Sequence, residues 1–188
     1  MYQLTKMEGI IAIPPEYLSK NLKEDLSKLV RERYEDHLDK EHGFVLLTWD
    51  VKPIGSGIIV HGNPSIYQKV NFDALSFKPV LHEVVDGIVC KVAEFGAFCH
   101  VGPLDALVHV SQIMDDYVDV NMVNSRIIGK ESKKALALGD TLRARIVALS
   151  VSELNPDELK IGLTMRQPGL GKHEWIKEER KKKEKEAK

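Results

Sequence analysis

A chain of 188 residues with 43% hydrophobic content can bury one large core or two small ones without a disulfide staple. Charged residues make up 29%, an ordinary share for a globular protein and too large for a membrane-embedded one, and no apolar run reaches the length of a bilayer span. The formal net charge of -1 excludes a protein that coats nucleic acid by bulk charge, so any such contact needs a local surface or a larger assembly.

The first segment, Met1 to Ile13, alternates loosely and reads as a strand, with no apolar core of a signal peptide at its start. A cytoplasmic location is expected. Pro14-Pro15 ends the strand, and a helix is predicted from Glu16 to Asp36, because proline is tolerated in a first helical turn. Leu18, Leu22, Leu26, Leu29 and Val30 fall on one stripe of that helix, and Lys20, Lys23, Glu24, Lys28 and Glu32 fall elsewhere. Gly43 to Val51 is β-rich, Lys52 to Gly57 reads as a turn, Ile58 to His61 as a strand, and Gly62 to Ser65 as another turn. Tyr67 to Phe77 is a further strand. The first half is therefore an α+β domain, one helix on a small antiparallel sheet, ending near Pro79.

The second half changes character. Strands are predicted at Glu83–Ala93, Gly96–Val101, Ala106–Val110, Leu142–Ser150 and Lys160–Met165, separated by glycine-rich turns. Five short strands of this kind suggest a small closed barrel. The connection from Met114 to Gly139 is long, with room for a helical turn, and Val151 to Leu159, with Asn155-Pro156-Asp157, reads as a polar hairpin loop. Beyond Pro168-Gly169 the tail from Lys172 to Lys188 is charged and helix-permissive, with Trp175 and Ile176 able to pin its start. A solvated, fraying helix is the preferred reading of the tail over a basic nucleic-acid arm, because glutamates interleave its lysines.

The sequence carries no phosphate-binding loop, no G-x-S-x-G elbow, no H-E-x-x-H and no cluster of metal-binding carboxylates. Asp115-Asp116 diverge as neighbours and read as surface-loop residues. His37, His42, His61, His82 and His173 are isolated, and read as structural or exposed. The two cysteines, Cys90 and Cys99, form no C-x-x-C pair, so they read as small buried hydrophobes, with no structural metal and no cofactor expected. A non-catalytic binding protein is the expectation.

The informative stretch is Glu94-Phe95-Gly96-Ala97-Phe98, followed by Leu107-Val108-His109-Val110-Ser111. Alternation along the strand turns Ala97, Cys99 and Val101 inward, and Phe98 and His100 outward. Likewise Val108 and Val110 point in and His109 points out. An aromatic ring beside an imidazole on one wall is a stacking platform for unpaired bases, each worth about 1–3 kcal/mol. For His109, a structural hydrogen bond to the adjacent loop is nearly as good a reading as RNA contact.

These residues, with Gly139-Asp140 before the fourth barrel strand and Lys160-Ile161-Gly162-Leu163-Thr164 in the fifth, resemble the S1-type RNA-binding barrel, a branch of the OB-fold. The resemblance covers about Val84 to Arg166 and implies RNA contacts at Phe95, Phe98, His100, His109 and Lys160.

A wider resemblance rests on Pro14-Pro15, Gly43-Phe44-Val45, Gly55-Ser56-Gly57, His61-Gly62, the run Val108 to Val118, and Leu163 to Lys172 with Glu174-Trp175-Ile176. The whole chain resembles the family of archaeal RNA polymerase stalk subunits called E-prime, counterparts of the seventh subunit of eukaryotic RNA polymerase II. The resemblance implies a truncated RNP-like tip domain over residues 1–80 that docks on the polymerase core through Gly55, Gly57, His61 and Gly62. A plain hairpin turn explains Gly55 and Gly57 nearly as well. It also implies an OB-fold RNA-binding domain with a charged helical tail over residues 81–188. The partners it implies are a smaller, F-type polymerase subunit that completes the stalk heterodimer, the polymerase core subunits and nascent single-stranded RNA, with no membrane. The family assists open-complex formation, processivity and termination without performing phosphodiester chemistry. The competing readings are a translation or exosome accessory protein built on the same barrel, and an RNA-processing enzyme.

Overall fold

The computed structural model describes residues 1–17, 22–39, 41–122, 124–151 and 159–186. Leu18 and Lys20 of the predicted helix, the Asn155-Pro156-Asp157 loop and the last two residues of the tail lie outside them. The chain divides into two compact units, Met1–Lys78 and Pro79–Lys188.

The first unit is a four-stranded antiparallel sheet with one helix on it. Its strands are β1 (Tyr2–Ile13), β2 (Leu38–Asp39), β3 (Gly43–Ile59) and β4 (Ile66–Phe77), in the order β1-β4-β3-β2. After Pro14 the chain makes a short 3-10 turn, Pro15–Tyr17, and the helix α1 spans Leu22–Tyr34. Glu24 and Asp25 in its first turn and Arg31 and Arg33 in its last complement the helix dipole. Leu26 and Val30 are fully buried, and Leu29 packs partly against the same core. That core is filled from the sheet by Met7, Ile11, Ile13, Val45, Val70, Phe72 and Ala74. Gly9 makes room for Tyr34: a Cβ there would stand 2.1 Å from the Tyr34 hydroxyl oxygen, and the freed ring packs on Phe72 at 4.9 Å.

The expected turn at Lys52–Gly57 is not a turn. β3 runs unbroken from Gly43 to Ile59 and absorbs the proline and glycines as register shifts, one between Trp49 and Lys52 and one between Ile54 and Ile58. Proline survives at position 53 because β3 pairs on its other side with β2 only at Gly43 and Phe44, leaving an edge where no N–H is required. The second shift is closed by a side chain: Gln68 Nε2 donates to the carbonyl of Ile54 at 2.9 Å, with Gly55 O at 3.4 Å. The reversal itself falls at Gly62–Ser65, as the sequence implies, with Asn63 Oδ1 accepting from Ser65 N at 3.0 Å.

The second unit is a closed, mixed, five-stranded barrel. Its strands are β5 (Val84–Ala93), β6 (Gly96–Val101), β7 (Leu104–His109), β11 (Thr141–Val151) and β12 (Leu159–Thr164). β12 closes it, running antiparallel to β11 and parallel to β7. Val85, Val89, Ala97, Cys99, Val108, Leu142, Ala144, Ile146, Ile161 and Leu163 fill the interior. Burial pushes the Cys99 thiol up to about 12, so this cysteine is an inert hydrophobe.

The long connection differs from the expected loop with a helical turn. A four-residue helix, α2 (Val110–Ile113), comes first, and the rest forms a three-stranded sheet of β8 (Val118–Asn121), β9 (Arg126–Gly129) and β10 (Ala135–Ala137), ordered β10-β9-β8. Asp116 holds it together by accepting from Ser132 N at 2.9 Å and Ser132 Oγ at 2.8 Å. These hydrogen bonds, led by the Ser132 amide, hold its carboxyl below the ordinary value. The Gly139-Asp140 pair is structural: Gly139 takes φ +82°, and the Asp140 carboxylate accepts from Ala137 N at 2.7 Å and pairs with Lys172 Nζ at 3.0 Å. The tail begins with β13 (Gly171–Lys172) against β11 and continues as α3 (His173–Glu186), whose Trp175 and Ile176 are buried.

Truncating Leu26 to alanine should destabilise the first unit by about 2–5 kcal/mol in urea unfolding, since the side chain is sealed between helix and sheet. Leu4→Ala, at a position 76% exposed, should change stability by less than about 0.5 kcal/mol in the same measurement.

Candidate nucleic-acid interface

β6 and β7 form a tight hairpin in which Gly96 faces His109, Phe98 faces Leu107, and His100 faces Asp105. Ala97, Cys99 and Val101 are buried, Phe98 is half-buried, and His100 is exposed. On β7, Ala106 and Val108 are buried and His109 is exposed. The pleat thus sorts the hairpin into an apolar inner row and an aromatic and polar outer row.

Gly96 is what lets the hairpin close beside Phe95 and Phe98. It takes φ +156°, and a Cβ there would stand 2.2 Å from the Val108 carbonyl oxygen. With the backbone so compressed, Phe95 lands 50% exposed with its ring edge-on to Phe98 at 5.8 Å.

A groove of about 1130 Å³ runs along this outer wall where β7 meets β12. Phe98, His100, Asp105, Leu107, Ser150 and Lys160 all line it. Gly162 and Ala148 keep its floor free of side-chain bulk: a Cβ on Gly162 would meet that of Ala148 at 3.1 Å. The groove therefore offers an aromatic face, an imidazole and an ammonium in one trough, the chemistry that holds stacked bases and a phosphate backbone.

Of the five residues expected to contact RNA, Phe98, His100 and Lys160 come together in this groove. Phe95 and His109 do not line it. Phe95 reaches it only through its contact with Phe98. His109 caps α2, its Nδ1 accepting from Ser111 N at 3.2 Å and lying 2.8 Å from Ser111 Oγ. The structural hydrogen bond considered for His109 is thus present.

Asp105 is a groove residue that the sequence reading passed over. It forms an ion pair with His100 directly across the hairpin. Its signal was the symmetry of His100 and Asp105 about the Gly102-Pro103 turn, which makes them cross-strand neighbours. Arg166 was also passed over. It pairs with Asp115 and donates to Ser111 O at 3.4 Å, while Gln112 accepts from Met165 N at 2.8 Å, so the end of β12 is tied to α2.

In the first unit, the four positions considered for docking sit at or near the free end of the β3–β4 hairpin. Gly55 and Gly62 take φ +65° and +85°, with nothing within 4 Å of a built Cβ. Gly57 answers a different need, since a Cβ there would stand 2.5 Å from Ile66 Cγ2. His61 is exposed, and beside it Ile58 and Ile59 are 66% and 70% exposed.

A helix-backed hairpin sheet followed by a mixed five-stranded barrel with an aromatic and basic groove defines a two-module protein of the OB-fold, S1-barrel class. Comparison with known proteins agrees. Residues 8–64 match the SHS2 domain found in the N terminus of Rpb7p/Rpc25p/MJ0397, and residues 78–157 match the S1 RNA binding domain. The DNA-directed RNA polymerase subunit Rpo7 of Saccharolobus solfataricus is 41% identical over 181 residues, covering 96% of this chain and 100% of that subunit. Rpo7 of Sulfolobus acidocaldarius is 40% identical over 179 residues, covering 95% and 97%. DNA-directed RNA polymerase II subunit 7 of Arabidopsis thaliana is 28% identical over 110 residues, covering 58% and 62%. The chain belongs to the Rpo7 family of DNA-directed RNA polymerase subunits. It is an accessory subunit of that complex and not catalytic by itself. No helix among the described residues is long and apolar enough to cross a membrane.

Gly96→Ala should cost about 1–3 kcal/mol of barrel stability, because neither the Val108 carbonyl nor a left-handed backbone accommodates a methyl group. Chemical denaturation followed by tyrosine and tryptophan fluorescence measures it.

Proposed function

We propose that this chain forms the polymerase stalk as a heterodimer with a second, smaller polymerase subunit, in the cytoplasm, and guides nascent single-stranded RNA along the barrel groove as it leaves the enzyme. In this role it assists open-complex formation, processivity and termination. The observation that carries the reading is the convergence of Phe98, His100 and Lys160 in one open trough. Stacking on the aromatic face supplies affinity without sequence preference, and Lys160 supplies a phosphate contact. Phe95 extends the aromatic surface through its edge contact with Phe98. His109 serves the same surface by fixing the turn into α2, with base contact a secondary role.

The first unit docks on the polymerase core through the end of its long hairpin. Supporting this, Ile58, Ile59 and Val60 expose apolar side chains in sequence beside Gly55, His61 and Gly62. Contiguous exposed apolar residues of this kind favour burial against a partner. The open space around Gly55 and Gly62 lets a partner's backbone approach closely.

Three outcomes follow. In fluorescence anisotropy with a single-stranded oligoribonucleotide, Phe98→Ala should weaken binding by about 1–3 kcal/mol with an unchanged circular dichroism spectrum. Lys160→Ala in the same titrations should reduce the slope of log affinity against log salt by about 0.7, one single-strand phosphate contact. Separately, Ile58→Asp/Ile59→Asp should abolish co-purification of the stalk with core polymerase while leaving the stalk heterodimer intact; undiminished recovery of core would contradict the docking assignment.

A further inference from the structure

Three unlike donor groups that fill no part of the barrel interior converge on its outer wall. Two of them, His100 and Asp105, are directly opposed across the β6–β7 hairpin, with side chains 59% and 65% exposed. The third is Cys90 on β5. Val89 pairs with Cys99 and Lys91 with Phe98, so Cys90 is the extra residue of a bulge with no cross-strand partner of its own. Without that bulge, strict alternation would place Cys90 and Lys91 on opposite faces. With it both keep to the outer face, Cys90 half-buried beside the His100–Asp105 pair. The Cys90 thiol sulfur, an imidazole nitrogen of His100 and a carboxylate oxygen of Asp105 all lie within 4.8 Å of one another.

The geometry points to a metal site: we propose that Cys90, His100 and Asp105 bind a zinc-class divalent cation, as three protein ligands of a tetrahedral centre with its fourth position open to solvent. Thiolate, imidazole and carboxylate are the donor types that zinc accepts, at about 2.0–2.3 Å each. Those bond lengths set neighbouring donors roughly 3.5 Å apart at a tetrahedral angle. The His100–Asp105 contact must therefore open to admit the ion, while the Cys90 sulfur, within 4.8 Å of both partners, swings toward it; both movements are within reach of side-chain χ rotations. The soft thiolate excludes magnesium and calcium, which take oxygen donors. Binding breaks the S–H bond of Cys90 and forms a metal–sulfur bond, with the proton released to solvent. Cys99, sealed inside the barrel, takes no part. Sequence inspection misses such a site because its ligands come from three strands with no recognisable spacing.

Cobalt(II) titrated into the full chain under reducing conditions is the probe. The expected result is one equivalent bound with a thiolate-to-cobalt charge-transfer band, displaced by zinc. Cys90→Ser should abolish the band while keeping the circular dichroism spectrum of the parent. Asp105→Asn and His100→Ala should each weaken cobalt binding by about 10- to 100-fold or more, the cost of losing even a residue that only orients a ligand. No charge-transfer band, a band that survives Cys90→Ser, or affinity unmoved in both other variants would overturn the proposal.

Discussion

The barrel unit depends on how β12 closes it. That strand hydrogen-bonds to β11 on one side and, in parallel, to β7 on the other, so no wall of the barrel is left as an open edge. Closure fixes which side of each strand is inside, and the two-residue period of the pleat then decides the fate of every neighbouring side chain. Ala97, Cys99 and Val108 are interior because they fall on one parity, and Phe98 and His100 face the groove because they fall on the other. A one-residue slip of β6 against β7 would bury His100 and expose Cys99. Gly96 guards against it, since only a residue without a side chain fits against the Val108 carbonyl at the start of the hairpin.

The barrel was largely legible in the sequence because its signals are short-range. Alternation along β6 and β7, the Gly139 turn and the polar break before β12 each lie within a few residues. Phe98, His100 and Lys160 could be brought to one surface by strand parity and by resemblance to the S1 barrel. Asp105 was marked only by its symmetry with His100 about the Gly102-Pro103 turn, and Ser150 and Gly162 could not be placed, because their roles depend on strand contacts around β12 that no local pattern encodes. The sheet of β8, β9 and β10 was missed for a related reason. Its strands are only three or four residues long, and the Asp116 carboxylate that anchors it acts across fifteen positions or more to the Glu131 and Ser132 amides.

The first unit shows where local signals mislead. Lys52-Pro53-Ile54-Gly55-Ser56-Gly57 has the composition of a turn, yet it lies inside one long strand. Proline is accommodated by an unpaired edge, and the extra residues are looped out and hydrogen-bonded by Gln68. The real reversal is displaced to Gly62, which carries exposed Ile58, Ile59 and Val60 out to the end of the hairpin. Composition identified the special residues correctly, and tertiary pairing determined what each of them does.

The most direct measurement of the central claim is amide chemical-shift mapping of the chain during titration with single-stranded RNA. The account predicts perturbations concentrated on β6, β7 and β12 around Phe98, His100 and Lys160. Shifts clustered instead around the Arg143–Asp86 ion pair, which His173 at the start of α3 also approaches, or an unperturbed β6–β7 hairpin at saturating RNA, would contradict it.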